Sequence, residues 1–267
     1  MHLMLLELLE LIRIKAWKAY IGMSVFGYAI STDGLDGNAI LFAVAMFFYL
    51  AFAFAINNCY DTDTDLPSLR KNPVASGLIS RKKARVISYL FALSGLLTVT
   101  AFPLESVVIY AFMLILAYLY SAPPRLKALP PFDMISHGLF FGALIFLFGV
   151  SISGAFQRLH IAIAVSMFFY SCLFELKNHI EDFDADEKAG LKTSAIILGG
   201  KRYAAFSVLS VMHLATLGLL FMPNSSYLMC AVFPMIPEDA AIKHFRAINA
   251  ITVCAYLTLF IAQRIYL

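Results

Sequence analysis

The sequence predicts an all-α polytopic membrane protein, and three observations carry that prediction. The 267 residues are 61% hydrophobic and only 14% charged, with a mean hydropathy of +0.81, whereas soluble domains are nearer half apolar and a quarter charged. The apolar residues fall in blocks of about 20, the length a helix needs to cross a hydrocarbon core of about 30 Å. A β-barrel would show short alternating segments instead. Lysine and arginine gather on one side of the predicted crossings, as they do in cytoplasmic loops. The net charge of +3 gives no reason to expect nucleic acid as a partner. Cys59, Cys172, Cys230 and Cys254 lie in or beside apolar runs without a C-x-x-C pair. Free thiols are therefore expected, not a disulfide or a zinc site.

Residues 1–12 place Leu and Met around a helix that also carries Glu7 and Glu10. That suits an interfacial helix or an extension of the first span, and no small-residue cleavage site follows to mark a signal peptide. Nine spans are predicted, near 14–32, 38–58, 84–102, 104–121, 134–154, 159–177, 203–222, 225–241 and 246–264. The eighth contains Pro234 and Pro237, which kink or end a helix. With the N-terminus inside, all 20 Lys and Arg except Arg158 and Arg264 fall on the cytoplasmic side. A span lost or gained midway would scramble that split. Two long inner loops, 59–83 and 178–202, lie on the same face.

Each of those loops opens on the pattern N-x-x-x-D-x-x-x-D: Asn57, Asp61 and Asp65 in the first, Asn178, Asp182 and Asp186 in the second. Each copy follows the second span of a four-span group, so the chain divides into two pseudo-repeated four-helix halves plus a ninth helix. Positions four apart share a helix face, so each copy forms a stripe of one amide and two carboxylates, with Asp63 and Asp184 pointing elsewhere. Such a donor set suits a hard cation, and Mg²⁺ characteristically combines one or two carboxylates with waters and substrate phosphates. Arg70, Lys71, Arg125, Lys127, Lys177 and Lys192 lie on the same side; they would grip a polyphosphate or offset the acidic charge. Acidic stretches beside membranes are often only solvated faces or helix caps, but two matching copies on one face argue against that. His179 lies off its stripe and reads as a surface histidine. Asp133, near His137 at the start of the fifth span, reads as an N-cap. Cys59 and Cys172 read as core. Glu175 is the acidic residue nearest the second motif within a span.

These stretches resemble the UbiA superfamily of intramembrane prenyltransferases. The first signature continues into Lys71-Asn72-Pro73-Val74-Ala75-Ser76-Gly77-Leu78-Ile79-Ser80, similar to the family's N-R-P-x-x-S-G-x-I-S, with Asn72 in place of Arg. The other signature is similar to the family's D-x-x-x-D-x-x-x-G-x-x-T followed by Leu-Gly: Asp182, Asp186, Gly190, Thr193 and Leu198-Gly199. The segment Tyr120–Lys127 resembles the family's loop between spans four and five. The resemblance implies a single domain over 1–267, with nine helices around a central cavity and cytoplasmic loops capping the motif end. It implies Mg²⁺-dependent transfer of a prenyl group from an isoprenyl diphosphate to a lipophilic or aromatic acceptor within the lipid bilayer, with turnover dependent on Asp61 and Asp182. Tyr60, Tyr118, Tyr120 and Phe174 are the aromatic residues near enough to the motifs to line the path of an allylic cation. The leading expectation for the acceptor is an aromatic quinone precursor. A glycerol-phosphate ether lipid is the alternative within the same fold. A cation or metabolite transporter is the alternative of another class, although transporters tend to place binding residues near the bilayer midplane. The D-G-x-x-A-R run of the CDP-alcohol phosphotransferases is absent.

Overall fold

A computed structural model of the protein describes residues 2–32, 34, 36–62, 72–221 and 241–266. The regular structure among them is entirely helical: α1 (His2–Leu11), α2 (Lys18–Ser31), α3 (Gly37–Tyr60), α4 (Arg81–Val99), α5 (Leu104–Ser121), α6 (Phe132–Ser151), α7 (Arg158–Glu181), α8 (Phe183–Lys188), α9 (Ser194–Leu198), α10 (Arg202–Leu219) and α11 (Ala241–Tyr266). Local signals set several of the boundaries. Asp36 caps α3 by accepting the Asn38 N–H at 3.0 Å, and Ser80 caps α4 by accepting the Lys83 N–H at 3.3 Å. Pro103 immediately precedes α5, where a missing N–H costs nothing.

Six helical stretches among the described residues are long and apolar enough to cross a membrane: Gly37–Tyr60, Leu104–Ser121, Phe132–Ser151, Arg158–Glu181, Ser194–Leu219 and His244–Arg264. They correspond to the second, fourth, fifth, sixth, seventh and ninth expected spans. The first and third expected spans are also helices. However, α2 has only 14 residues, and α4 opens on Arg81-Lys82-Lys83-Ala84-Arg85, which lowers its hydropathy. The eighth, 225–241, lies outside the described residues. The molecule's flanks carry fully apolar side chains such as Ile40, Leu97, Leu104 and Val108, each more than half exposed. Water would not tolerate such a continuous apolar surface, and lipid does.

The core is aromatic. Tyr49, Tyr110, Phe140, Phe146 and Phe148 are completely enclosed. The tyrosine hydroxyls end on backbone carbonyls, Tyr49 on Phe140 O at 3.0 Å and Tyr110 on Ala45 O at 2.9 Å. Phe140 lies in a π turn, Leu139–Ala143, that interrupts α6. α2 and α6 approach each other closely: a Cβ on Gly149 would lie 2.3 Å from Ser24 O, and one on Gly27 would lie 2.2 Å from Phe146 O. Small residues allow this approach, as is common between membrane helices. At the motif end, Leu11 of α1 joins Ala55, Cys59, Val74, Ile79 and Ala84 in a small separate core. The Asn58 amide ties the α1 terminus down by donating to Leu11 O at 2.7 Å.

Candidate active site

The two motif helices α3 and α7 are each 24 residues long and stop at equivalent points. Asp61 and Asp182 are their C-caps, and each backbone N–H bonds back to the carbonyl of the motif asparagine, Asn57 at 3.0 Å and Asn178 at 2.9 Å. Two helix C-termini, with their negative dipole ends, thus meet at one site, an arrangement that favours cations. The second stripe continues through a bend, because α8 begins directly after Asp182 and carries Asp186. In the first copy the helix ends at Tyr60, and Asp65 lies outside the described residues, as do Asp63, Arg70 and Lys71.

Asn57, Asp61, Asn178, Asp182 and Asp186 all line one cavity of about 310 Å³. Asp184 does not, in keeping with its position off the stripe. Lys127 lines it too and is ion-paired with Asp61, and Arg125 Nη2 approaches the same carboxylate at 3.3 Å. Arg125 and Arg13, the two non-glycine residues with positive φ among the described residues, are held in that conformation beside the cavity, at +62° and +48°. Of the other basic candidates, Lys177 pairs with Glu181 at 2.5 Å and lies over the Phe245 ring. Lys192 is exposed, and neither side chain is part of the lining.

Below the acidic mouth the cavity is walled by Tyr20, Phe54, Tyr120, Phe140 and Phe141. Tyr20 and Phe141 stack with ring centroids 4.1 Å apart, and Phe54 stacks on Phe141 at 5.6 Å. Among the expected aromatics only Tyr120 takes this place. Tyr60 and Tyr118 pack edge-on against each other at 6.4 Å, away from the lining. Phe174 sits one layer behind, between Tyr20 and Phe245. The correction is one of helical phase. Phe54 lies three residues before Asn57, Glu175 lies three before Asn178, and both face the cavity, whereas Phe174, four before, does not. His137, Phe140 and Phe141 likewise share one face of α6. These spacings were available in the sequence.

Two other readings change, and Asn72 gains a role. His179, expected at the surface, is buried, with Nε2 3.1 Å from Glu175 Oε1 and Nδ1 3.5 Å from Asp133 Oδ2. Its neighbours on α6 and α7 enclose it. Asp133 is not the N-cap residue, a position Pro131 takes, although its Oδ1 accepts the Met134 N–H in the first turn of its own helix at 2.8 Å. It is fully buried and also accepts the Ser194 N–H at 2.6 Å and the Ser194 hydroxyl at 2.7 Å, so it ties the start of α9 to the start of α6. Asn72, in place of the family's arginine, is buried. It donates to Asn58 O at 3.0 Å and accepts the Val74 and Ala75 N–H groups at 2.9 and 3.3 Å, the work of a loop staple. Cys59 and Cys172 are buried free thiols, as expected.

The motif residues at the cavity mouth offer a cation oxygen donors, carboxylate and amide. Among the described residues no three His, Cys, Asp or Glu side chains converge as a closed metal site. A bound cation would therefore complete its shell with water and ligand oxygens, which is how Mg²⁺ is usually held. The hydroxyl of Thr193, on the same lining, is buried without a partner. The residues present fit Mg²⁺ together with a phosphorylated ligand.

Residues 20–249 match the UbiA prenyltransferase family. The chain is 28% identical to a digeranylgeranylglyceryl phosphate synthase of Korarchaeum cryptofilum, over 74% of this chain and 68% of that protein. It is 26% identical to a protein of the same name from Pyrococcus abyssi, over 82% and 78%, and 27% identical to a 4-hydroxybenzoate octaprenyltransferase of Polynucleobacter asymbioticus, over 73% and 71%. Among solved structures, a UbiA homolog from Archaeoglobus fulgidus bound to GPP and Mg²⁺ aligns with a TM-score of 0.74 and 26% identity, covering 95% of this chain and 99% of that one.

Proposed function

Because the chain belongs to the UbiA prenyltransferase family and is an intramembrane prenyltransferase, we propose that it transfers a prenyl group from an isoprenyl diphosphate to the free hydroxyl of a glycerol-phosphate ether lipid. The observation that carries the donor half is the cavity itself. Two motif C-termini and Lys127 gather at its mouth, above an aromatic-walled pocket. The acceptor rests on the relatives. Several are named digeranylgeranylglyceryl phosphate synthase, which favours a glycerol-phosphate acceptor over the aromatic one first expected. The octaprenyltransferase relative keeps the aromatic acceptor as the competing reading.

In this reading Asn57, Asp61, Asn178, Asp182 and Asp186 hold Mg²⁺, joined by Asp65. When bound, the ion would supply Lewis-acid neutralisation of the diphosphate charge. Lys127 and Arg125 neutralise Asp61 in the ligand-free site and lie where charge develops as the C1–O bond of the donor breaks. The Thr193 hydroxyl supplies a further hydrogen bond to a phosphate oxygen. Tyr20, Phe54, Phe140 and Phe141 keep water from the allylic carbon and turn ring faces toward its positive charge. The acceptor oxygen then forms the new bond to C1, pyrophosphate is released, and the hydroxyl proton leaves with it. The tail lies among apolar side chains while the diphosphate reaches the mouth. On the charge asymmetry of the loops, we place that mouth, the N-terminus and both motifs at the cytoplasmic face of a nine-span single domain.

The test is a product assay. The purified protein in detergent receives Mg²⁺, prenyl diphosphates of several lengths, and either geranylgeranylglyceryl phosphate or 4-hydroxybenzoate. A prenylated glycerol phosphate is expected. Product from 4-hydroxybenzoate alone would restore the aromatic acceptor, and product from neither acceptor, with no Mg²⁺-dependent donor binding, would sink both.

A further inference from the structure

Glu175 is a buried intramembrane carboxylate that the reaction above does not use. We propose that it is a positioning residue, locking the Asn178 side chain with its amide oxygen toward the cavity and so setting the affinity of the second motif for a divalent cation. The inference rests on the reading of that motif as a cation and diphosphate site.

Glu175 is 6% exposed and lies one helical turn before Asn178 on α7. Four polar side chains from three helices surround its carboxylate. The Tyr120 hydroxyl of α5 and His179 Nε2, the latter at 3.1 Å, meet Oε1. His137 Nε2 of α6, at 3.3 Å, and Asn178 Nδ2, at 3.4 Å, meet Oε2. A carboxylate has about four lone-pair sites, so those of Glu175 are occupied, and it is not itself free to take a cation. The consequence falls on Asn178. An ionised carboxylate only accepts hydrogen bonds, so the face of the amide turned toward it must be the NH₂ group. Oδ1 is then the atom left to the cavity that Asn178 lines. The opposite rotamer would present N–H groups to a cation and repel it. Asn57 is less constrained, because its Nδ2 meets the Ser121 hydroxyl at 3.4 Å, and a hydroxyl can donate as well as accept. Groups behind a ligand that fix its orientation commonly change metal affinity about 10- to 100-fold.

The experiment titrates Mn²⁺ into the full chain in detergent, in the presence of inorganic pyrophosphate, with spectroscopic detection of bound ion and no turnover. Thermal midpoints are recorded for every variant. Glu175→Gln keeps the shape but places an amide against the Asn178 amide, which frees that side chain to turn. Mn²⁺ affinity is expected to fall about 10- to 100-fold. The paired exchange Glu175→Gln with Asn178→Asp restores a donor facing an acceptor and leaves an oxygen toward the cavity, so affinity should return to the wild-type range. Asn178→Asp alone sets two carboxylates against each other and should not improve binding. Unchanged affinity in Glu175→Gln, a loss that the paired exchange does not recover, or a gain in Asn178→Asp alone equal to that of the pair would each overturn the positioning role. Wild-type protein that binds no Mn²⁺ would instead sink the cation reading on which the role rests.

Discussion

Asp61 carries two demands at once. It is nearly enclosed, at 4% exposed, it ends a helix, and it already holds Lys127 and Arg125. In the proposed reading, removing it takes one cation ligand from the mouth and one ion-pair partner from Lys127 and Arg125. Asp61→Ala and Asp182→Ala are each expected to lower kcat by at least about 10²-fold, the scale of losing one preorganised electrostatic group, as measured by product formation at saturating donor. Wild-type turnover in either variant would remove that residue from the site. Phe141 makes a different prediction, because it stacks on both Tyr20 and Phe54 and separates the mouth from the deeper core. Phe141→Ala should admit water and raise the ratio of prenyl alcohol to prenylated acceptor, read by chromatography; an unchanged ratio would argue against a water-excluding role. The motif residues were legible in sequence because a four-residue spacing survives even the bend between α7 and α8. The hub at Glu175 was not. It joins Tyr120, His137 and His179 from three helices, and single-sequence periodicity gives no register between helices.

At the scale of elements, the site depends on how closely α2 approaches α6. Tyr20 enters the cavity from α2 and Phe140 and Phe141 from the π turn of α6, so the spacing of the two helices sets the width of the aromatic pocket. Gly149→Ala would put a Cβ 2.3 Å from Ser24 O and 2.6 Å from Tyr28 N, backbone atoms that cannot rotate away. The variant is expected to lose about 1–3 kcal/mol of stability, the usual cost of overpacking, and to weaken donor binding. Gly22→Ala is the matched control on α2. Nothing lies within 4 Å of its Cβ position, so it should be neutral or stabilise by about 0.5–1 kcal/mol through helix propensity. Equal thermal midpoints for the two variants would refute the packing argument. The presence of these helices could be read from the sequence, since apolar length predicts a helix well. The grading of α2 and α4 as spans could not, because a short helix and one with a basic first turn reach membrane depth only through their neighbours.

For the molecule as a whole, the two acidic motifs share one face only if the crossings between them are even in number. The sequence supports this through charge: in the expected nine-span topology every Lys and Arg but Arg158 and Arg264 falls on the motif side. Each basic residue near the cytoplasmic surface gains from the positive-inside asymmetry, so the summed bias leaves little room for the inverted orientation. The fold supplies a local check, because α7 is the one membrane-length helix between the exposed turn at Gln157 and the exposed end of the six-residue α8 at Lys188. One helix of 24 residues, about 36 Å at 1.5 Å per residue, is enough for a single crossing. With Cys230 and Cys254 replaced by serine, and Cys59 and Cys172 buried, Gln157→Cys should react with a membrane-impermeant maleimide in intact cells. Lys188→Cys should react only after permeabilisation. Labelling of both from the same side would break the single crossing by α7 and with it the shared face of the two motifs. Reversed labelling would keep the bundle intact but turn the cavity mouth away from the cytoplasm and overturn the orientation proposed from the charge of the loops.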